Sequence, residues 1–320
     1  MPGPSRASEG ICALTDGSVT LVTGAAGLIG SSVLAKLRAQ GRRALGVDLA
    51  PKPQQSDVER ADLIDIHRLH MIARNAGVTA IIHCGAVSGP MVMIENPYGI
   101  IQANVMGTAN ILELARIHRM RRVVFCSSAS AYGPTPKPST ADGALDENTP
   151  LCPSSVYGAT KVACEALIRG YRVQHKADAV SIRLSWVYGP GRTTDCVVRT
   201  MIQNTLNGQA TRLPVGREFP RQFIYVDDAS DALIAALDAP VCPGAVYNAT
   251  GGVSVTIGEL AELVRAALGR GDIVVEDGPD PLDDLQHRLD ISAIARDLGF
   301  HPKVTLPEGI SRYAAWLRER

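Results

Sequence analysis

Neither sign of charge prevails in this chain. Lys and Arg number 32 and so do Asp and Glu, for a formal net charge of zero over 320 residues. The basic residues are scattered and form no stripe of the kind that tracks a phosphate backbone, so nucleic acid is not an expected partner. Also missing is an apolar run long enough to cross a bilayer, and no membrane role is expected. Residues 1–18 carry Gly, Ser and Pro but lack the apolar core of a secretion signal. They read as a flexible leader, and the expected location is cytoplasmic. The seven cysteines (12, 84, 126, 152, 164, 196 and 242) are odd in number and lack metal-site spacing. They fit free thiols in a reducing compartment. Cys84 and Cys126 fall in expected strands and read as small core residues. His67 and His70 sit three apart on an expected helix over 65–76, but no acid or cysteine completes a site, so no metal is expected. Internal repeats and low-complexity tracts are absent too. The length permits one large or two modest domains with a sizeable core.

What is present begins with Val19-Thr20-Leu21-Val22-Thr23-Gly24-Ala25-Ala26-Gly27-Leu28-Ile29-Gly30. An apolar strand runs into a glycine turn and then into a helix. Gly24 permits the tight turn, Gly27 lets backbone approach a pyrophosphate, and Gly30 lets the helix pack closely. The helix N-terminus offers unpaired N–H groups and a positive dipole end to phosphates. The helix over 28–40 ends at Gly41, and a second strand over 44–47 ends at Asp48. That acid lies about 20 residues past the last glycine, where it can accept hydrogen bonds from a ribose and repel a 2′-phosphate. Asp48 therefore argues for NAD over NADP.

Strands expected over 20–23, 44–47, 80–84, 123–127 and 180–184 alternate with helices over 28–40, 65–76, 98–119 and 157–174. This alternation predicts right-handed βαβ units and a Rossmann-type, doubly wound parallel sheet, an α/β fold. Residues 133–153 are too polar and broken for a core element and too long for an ordinary connection. Past Gly189 the pattern loosens into helices over 196–207, 228–237, 257–268 and 307–318, with short strands near 246–247 and 273–275.

Tyr157 and Lys161 are i and i+4 on the fourth of these helices and share a face. A phenol is a poor base near neutral pH, and a nearby ammonium favours its ionised form. The pair suits proton transfer to or from a substrate hydroxyl. Between the two motifs, the apolar strand Arg122-Val123-Val124-Phe125-Cys126 ends in Ser127-Ser128-Ala129-Ser130. A hydroxyl at the carboxyl end of a parallel strand faces the ligand crevice and can donate to a substrate oxygen.

Taken in order, these pieces resemble an extended short-chain dehydrogenase/reductase of the NAD-dependent epimerase/dehydratase group, from about Val19 to the C-terminus. Further matching pieces are Ala61-Asp62-Leu63, Ile82-His83-Cys84-Gly85-Ala86, Asn104-Val105-Met106-Gly107-Thr108, Val187-Tyr188-Gly189-Pro190-Gly191 and Arg221-Gln222-Phe223-Ile224-Tyr225-Val226-Asp227-Asp228. The resemblance implies a catalytic triad of Ser128, Tyr157 and Lys161, with NAD as cofactor. It places the cofactor against Gly24, Ala26, Gly27, Leu28, Ile29, Asp48, Asp62, Leu63, Cys84, Gly85, Ala86, Asn104, Ser127, Tyr157 and Lys161. Asp62 would contact adenine, and Asn104 would have a structural or cofactor-side role. Residues 19–185 would form the NAD-binding domain, which takes back about 223–249. Residues 186–222 and 250–320 would form a smaller α/β substrate-binding region. The helices over 98–119 and 157–174 carry more apolar positions than one buried face requires (Ile100, Ile101, Val105, Ile111, Leu112; Val162, Ala166, Leu167), and the family pairs them in a homodimer.

The strand end separates the branches of this group. Sugar-nucleotide dehydratases follow the catalytic hydroxyl with an Asp-Glu pair, where this chain has Ala129 and Ser130. The decarboxylase branch's glutamate is also missing. The segment most resembles the UDP-galactose 4-epimerase type, so the expectation is transient oxidation of a hydroxyl on a sugar or nucleotide sugar. One position departs from that pattern: Trp186 stands where such epimerases carry an asparagine that helps hold the diphosphate. An indole donates one hydrogen bond and cannot replace an amide. The alternative is an NAD-dependent dehydrogenase of a sugar, sugar acid or other small alcohol. A silent NAD-binding regulator is disfavoured by the intact triad. The expected substrate pocket comprises Ser88, Ser128, Ser130, Tyr157, Trp186, Arg192 and Arg221, with Arg217 and Arg288 as further cations.

Overall fold

The structure is a computed structural model that describes residues 17–53, 55–135, 143–280 and 284–320. Nearly all of the expected leader, and the middle of the polar stretch 133–153, lie outside the described residues. The first strand, β1 (Val19–Thr23), is buried throughout and leads through the glycine turn into α1 (Leu28–Ala39). Next come β2 (Arg43–Asp48), β3 (Val58–Arg60), α2 (Ile66–Ala76) and β4 (Val78–His83). Asp65 caps α2 by accepting from the Arg68 N–H, and Gly77 ends the helix at a φ of 66°.

The expected helix over 98–119 is three pieces: α3 (Pro97–Ile101), a π-helical turn (Gln102–Met106) and α4 (Gly107–Ile117). The π turn carries Asn104, whose amide is committed to groups outside the helix. Strand β5 (Arg122–Ser128), helix α5 (Val156–His175) and strand β6 (Ala179–Leu184) follow. Ser155 caps α5 by accepting from the Gly158 N–H.

The remainder comprises β7 (Trp186–Tyr188), α6 (Val197–Leu206), β8 (Thr211–Leu213), β9 (Pro220–Tyr225), α7 (Val226–Asp238) and β10 (Val246–Ala249). It ends with β11 (Ser254–Thr256), α8 (Ile257–Leu268), β12 (Ile273–Val275), α9 (Ser292–Leu298) and α10 (Leu306–Arg318).

Seven strands form one parallel sheet in the order β10-β6-β5-β4-β1-β2-β3. Chain direction across the sheet reverses between β1 and β4, and ligands bind outside the carboxyl ends of strands at such a switch point. Successive side chains serve opposite faces. Val22, Ile82, Val124 and Ile182 pack with Val33 and Leu37 of α1 and Leu233 of α7. Leu21, Ile81, Val123 and Phe125 pack with Leu69 of α2, Ile111 of α4 and Ile168 of α5. Each such side chain contributes about 1.5–3 kcal/mol when fully buried, so the double-sided core fixes the register that the cleft depends on.

Two small sheets stand apart: β11-β9-β7, and the parallel pair β12-β8. Of the segment 223–249, assigned from the sequence to the large sheet, only β10 pairs there. Residues 223–225 lie in β9 between β7 and β11. Short strands β3, β7, β8 and β11 were not anticipated, because three residues carry too little alternation to stand out. Among the described residues no helix is long and apolar enough to cross a membrane.

Candidate active site and cofactor cleft

The carboxyl ends of β1, β2, β4, β5 and β6 open into one cavity of about 540 Å³. At its first end lies the glycine turn. Gly24 has a φ of 66°, and a Cβ there would press on the Cys84–Gly85 backbone at 2.7 Å. A Cβ on Gly30 would overlap the Gly24 carbonyl. Any side chain at either position would push α1 off the sheet. Gly27, the N-cap of α1, supplies no side-chain cap, so the first-turn N–H groups are left for a ligand. Asp48 ends β2 in the same wall. One carboxylate oxygen accepts from the Ala26 N–H and the other from the Ala50 N–H, each at 3.0 Å. Asp62 and Leu63 complete this end. A backbone cradle that tolerates no Cβ, an uncapped helix start and a fixed carboxylate fit a dinucleotide.

At the other end β5 delivers Ser128. Its Oγ accepts from the Ser130 N–H at 3.1 Å and donates to the Ser130 Oγ at 3.2 Å. Helix α5 brings Tyr157 and Lys161 to the same wall, at 7 % and 3 % exposure. The Lys161 ammonium donates to the Cys126 carbonyl at 2.8 Å and lies 5.6 Å from the Tyr157 ring centre. Burial disfavours that ammonium, but Tyr157 and then Cys126, Cys164 and Cys84 outweigh it, so the Lys161 pKa stands above the ordinary lysine value. Behind it, burial and then Lys161 push His83 down to about 3. His83 is therefore neutral, set between the Thr23 and Thr108 hydroxyls at 2.7 and 3.1 Å.

Most of the residues singled out in the sequence meet in this wall: Gly24, Ala26, Gly27, Leu28, Ile29, Asp48, Asp62, Leu63, Cys84, Gly85, Ala86, Ser88, Ser127, Ser128, Ser130, Tyr157, Lys161, Trp186 and Arg192. Two do not. Asn104 lies behind it: its amide accepts from the Val87 N–H at 2.8 Å and donates to the Val87 carbonyl and the Thr160 hydroxyl. It ties the loop carrying Ser88 to α5 and has no surface in the cavity. Arg221 is also outside the wall. Its guanidinium stacks between Trp186 and Phe219, 4.8 and 4.5 Å from the ring centres, and pairs with Asp280 at 3.4 Å. Arg221 thus stands in an ion pair beside the wall, next to Trp186.

Arg192 donates to the Val187 carbonyl at 2.6 Å and to the Asp195 carbonyl at 3.0 Å, which shapes the loop after β7. Arg217 pairs with Asp277 and is not part of the cavity wall. The sequence reading missed Gln286, Thr193, Thr194 and Met93 of the wall. Gln286 donates to the Ala129 carbonyl at 3.0 Å and to the Gly133 carbonyl at 3.3 Å, holding the turn after Ser128 from a loop more than 150 residues away. No local motif marks it.

Comparison with known proteins agrees with this arrangement. The chain is 31% identical to a UDP-glucose 4-epimerase of Mycolicibacterium smegmatis, over 94% of this chain and 99% of that one. It is 30% identical to a dTDP-glucose 4,6-dehydratase of Streptomyces niveus, over 93% and 92% of the two chains. Its structure superposes on that of Thermus thermophilus UDP-glucose 4-epimerase in complex with NAD, with a TM-score of 0.83 and 27% identity, over 94% of this chain and 99% of that one. The model of the NAD dependent epimerase/dehydratase family matches residues 20–250, from β1 through β10. A match that runs through the whole of the large sheet and both ends of its cleft shows that the chain belongs to this NAD dependent epimerase/dehydratase family.

Proposed function

We propose that the protein is an NAD-dependent epimerase of a sugar, in the first instance a nucleotide sugar. One observation carries the choice within the family. Among the described residues of the cavity wall the carboxylates are Asp48 and Asp62, both on the β2–β3 side, away from Ser128 and Tyr157. Elimination of water from a sugar needs an acid and a base beside the reacting carbons, and Ala129 and Ser130 offer neither. A proton shuttle at one hydroxyl is what remains. Ser128 and Tyr157 hold that hydroxyl, and Tyr157 takes its proton. Lys161, fixed by the Cys126 carbonyl, stabilises the phenolate that this requires. NAD, when bound on the glycine turn and Asp48, supplies an acceptor that takes a hydride and can give it back. The cofactor half is then built from 19–185 with β10, and the substrate half from the small sheets and their helices.

The test is incubation of protein and NAD with a panel of nucleotide sugars and sugar acids. The expected result is epimer formation without net NADH absorbance. A second reading, an NAD-dependent dehydrogenase of a sugar, sugar acid or other small alcohol, is favoured by Arg221 lying under Trp186 and bound to Asp280. Stoichiometric NADH from a small acid, with no epimer from any nucleotide sugar, decides for it.

The cofactor preference follows from Asp48, whose carboxylate would face a 2′-phosphate as like charge. NAD is expected to bind at least about tenfold more tightly than NADP, which needs only about 1.4 kcal/mol. Titrations giving equal affinity would remove Asp48 from this role.

The protein is further expected to be a homodimer. Ile100, Ile111 and Leu112 are buried within the protomer and cannot serve an interface. Tyr98, Ile101 and Met106 are exposed at 68 %, 43 % and 52 %, along α3 and the π turn. An isologous pairing would cover them, and sedimentation is expected to show a dimer at micromolar concentration. A monomer there counts against it. Free cysteines at 84, 126, 152, 164, 196 and 242 favour a reducing, cytoplasmic setting.

A further inference from the structure

Strands β4 and β5 are parallel neighbours in which Ile82 pairs with Val124 and His83 with Phe125. Ile82 and Val124 both face the α1 and α7 side of the sheet. Side chains alternate along each strand, so one step beyond the last paired position Cys84 stands beside Cys126 on that same side. Neighbouring strands lie about 4.8 Å apart, within the Cα separation of roughly 4.4–6.8 Å that a disulfide spans. Each thiol shifts the other's ionisation, which places the two sulfurs within interaction range of each other. Both line the cofactor cleft, Cys84 half-buried and Cys126 buried. We propose that Cys84 and Cys126 form an oxidisable dithiol in the floor of the cleft, a modification site that hydroperoxides convert to an intramolecular disulfide.

The surroundings suit the chemistry. The neighbouring Cys84 thiol and the Lys161 charge lower the Cys126 thiol against an opposing effect of burial, whereas Cys84 is raised by Cys126 and by burial. Cys126 is therefore the thiol that ionises more readily and attacks as its thiolate, with Cys84 the proton-bearing partner. The thiolate attacks one peroxide oxygen, the O–O bond breaks, and the departing oxygen takes up the proton that Cys126 has lost. This leaves a sulfenic acid on Cys126. The Cys84 sulfur then displaces its hydroxyl, which leaves as water with the Cys84 proton. Two thiols and one hydroperoxide give one disulfide, one water and one alcohol (a second water from hydrogen peroxide). Cys164 is no competitor, since it packs on the opposite face of the sheet and donates to the Asn104 carbonyl. The cross-link would join the strand ends that carry Gly85 and Ser127, and would disturb the carbonyl that holds Lys161.

The test treats the intact chain with hydrogen peroxide, with and without saturating NAD, followed by alkylation and digestion without reductant. The expected product is a Cys84–Cys126 peptide lighter by two hydrogens than its two thiol parts. Two alkylatable thiols per chain are lost, and dithiothreitol restores both. Cys126→Ser and Cys84→Ser each abolish the linked peptide, and Cys152→Ser, at an exposed position, leaves it. Recovery of Cys84 and Cys126 from the unmutated protein as separate peptides, whether alkylated or over-oxidised, overturns the proposal without any variant having to fold. The dithiol stands on strand geometry, and only the NAD arm rests on the proposed function. NAD is expected to slow the cross-link. An unchanged rate with NAD leaves the disulfide supported and overturns the seating of NAD above it.

Discussion

Tyr157→Phe is expected to lower turnover by about 10²–10⁴, the usual cost of removing one general acid or base, with NAD affinity nearly unchanged. The hydroxyl is the only atom removed, and the ring, 7 % exposed, keeps its place on α5 beside Ser128. Lys161→Met is expected to behave differently. Its ammonium is nearly buried and holds both the Cys126 carbonyl and the electrostatic environment of Tyr157. Losing it removes a charge beside Tyr157 and a donor from the cavity wall, so both turnover and NAD affinity should fall. Steady-state rates combined with calorimetric titration of NAD separate the two cases. Near-normal turnover in Tyr157→Phe would show that another group moves the proton.

The parts of this molecule legible in the sequence are those governed by short-range rules. A strand, a glycine turn and a helix are contiguous, so the start of the sheet and its phosphate cradle could be read together. Tyr157 and Lys161 share a helix face by spacing alone. What escaped depends on distant packing. The Asn104 side chain is committed to Val87 and Thr160, 17 and 56 residues away, and the helix around it opens into a π turn. Arg221 has the type and position of an anion-binding residue. Its surroundings are set by Asp280, 59 residues later, and by the indole of Trp186, neither of which its own segment reveals. Gln286 reaches the turn after Ser128 from the far end of the chain. The strand carrying Phe223 reads like any apolar strand, and whether it joins the large sheet or β7 depends on pairing partners that periodicity does not name.

Breaking the Arg183–Glu165 pair is expected to cost about 3–5 kcal/mol of folding stability, the usual penalty for leaving one buried charge without its partner. The two side chains are 2 % and 4 % exposed, with the guanidinium bound to both carboxylate oxygens and its shortest contact at 2.6 Å. Burial acts to lower the Arg183 pKa, and the hydrogen bonds and charge of Glu165 more than reverse it. The pair is tied into β5, because the Ser127 hydroxyl donates to Glu165 at 2.6 Å, one residue before Ser128. The Tyr132 ring covers the guanidinium at 4.6 Å, and its hydroxyl donates to Asn248 of β10 at 2.8 Å. One network thus joins β5, α5, β6 and β10 beneath the end of the cleft that holds Ser128 and Tyr157. Against a total stability of about 5–15 kcal/mol, Glu165→Leu alone should shift the urea midpoint severely. The double variant Glu165→Leu/Arg183→Met removes both charges and should recover much of the loss, since apolar replacement of a whole buried pair is often neutral or better. The double variant should still turn over more slowly than the unmutated protein, because Ser127 loses its acceptor and the strand end beside Ser128 loosens. A loss under about 1 kcal/mol in Glu165→Leu would mean that water reaches Arg183 and that the network does not support the site.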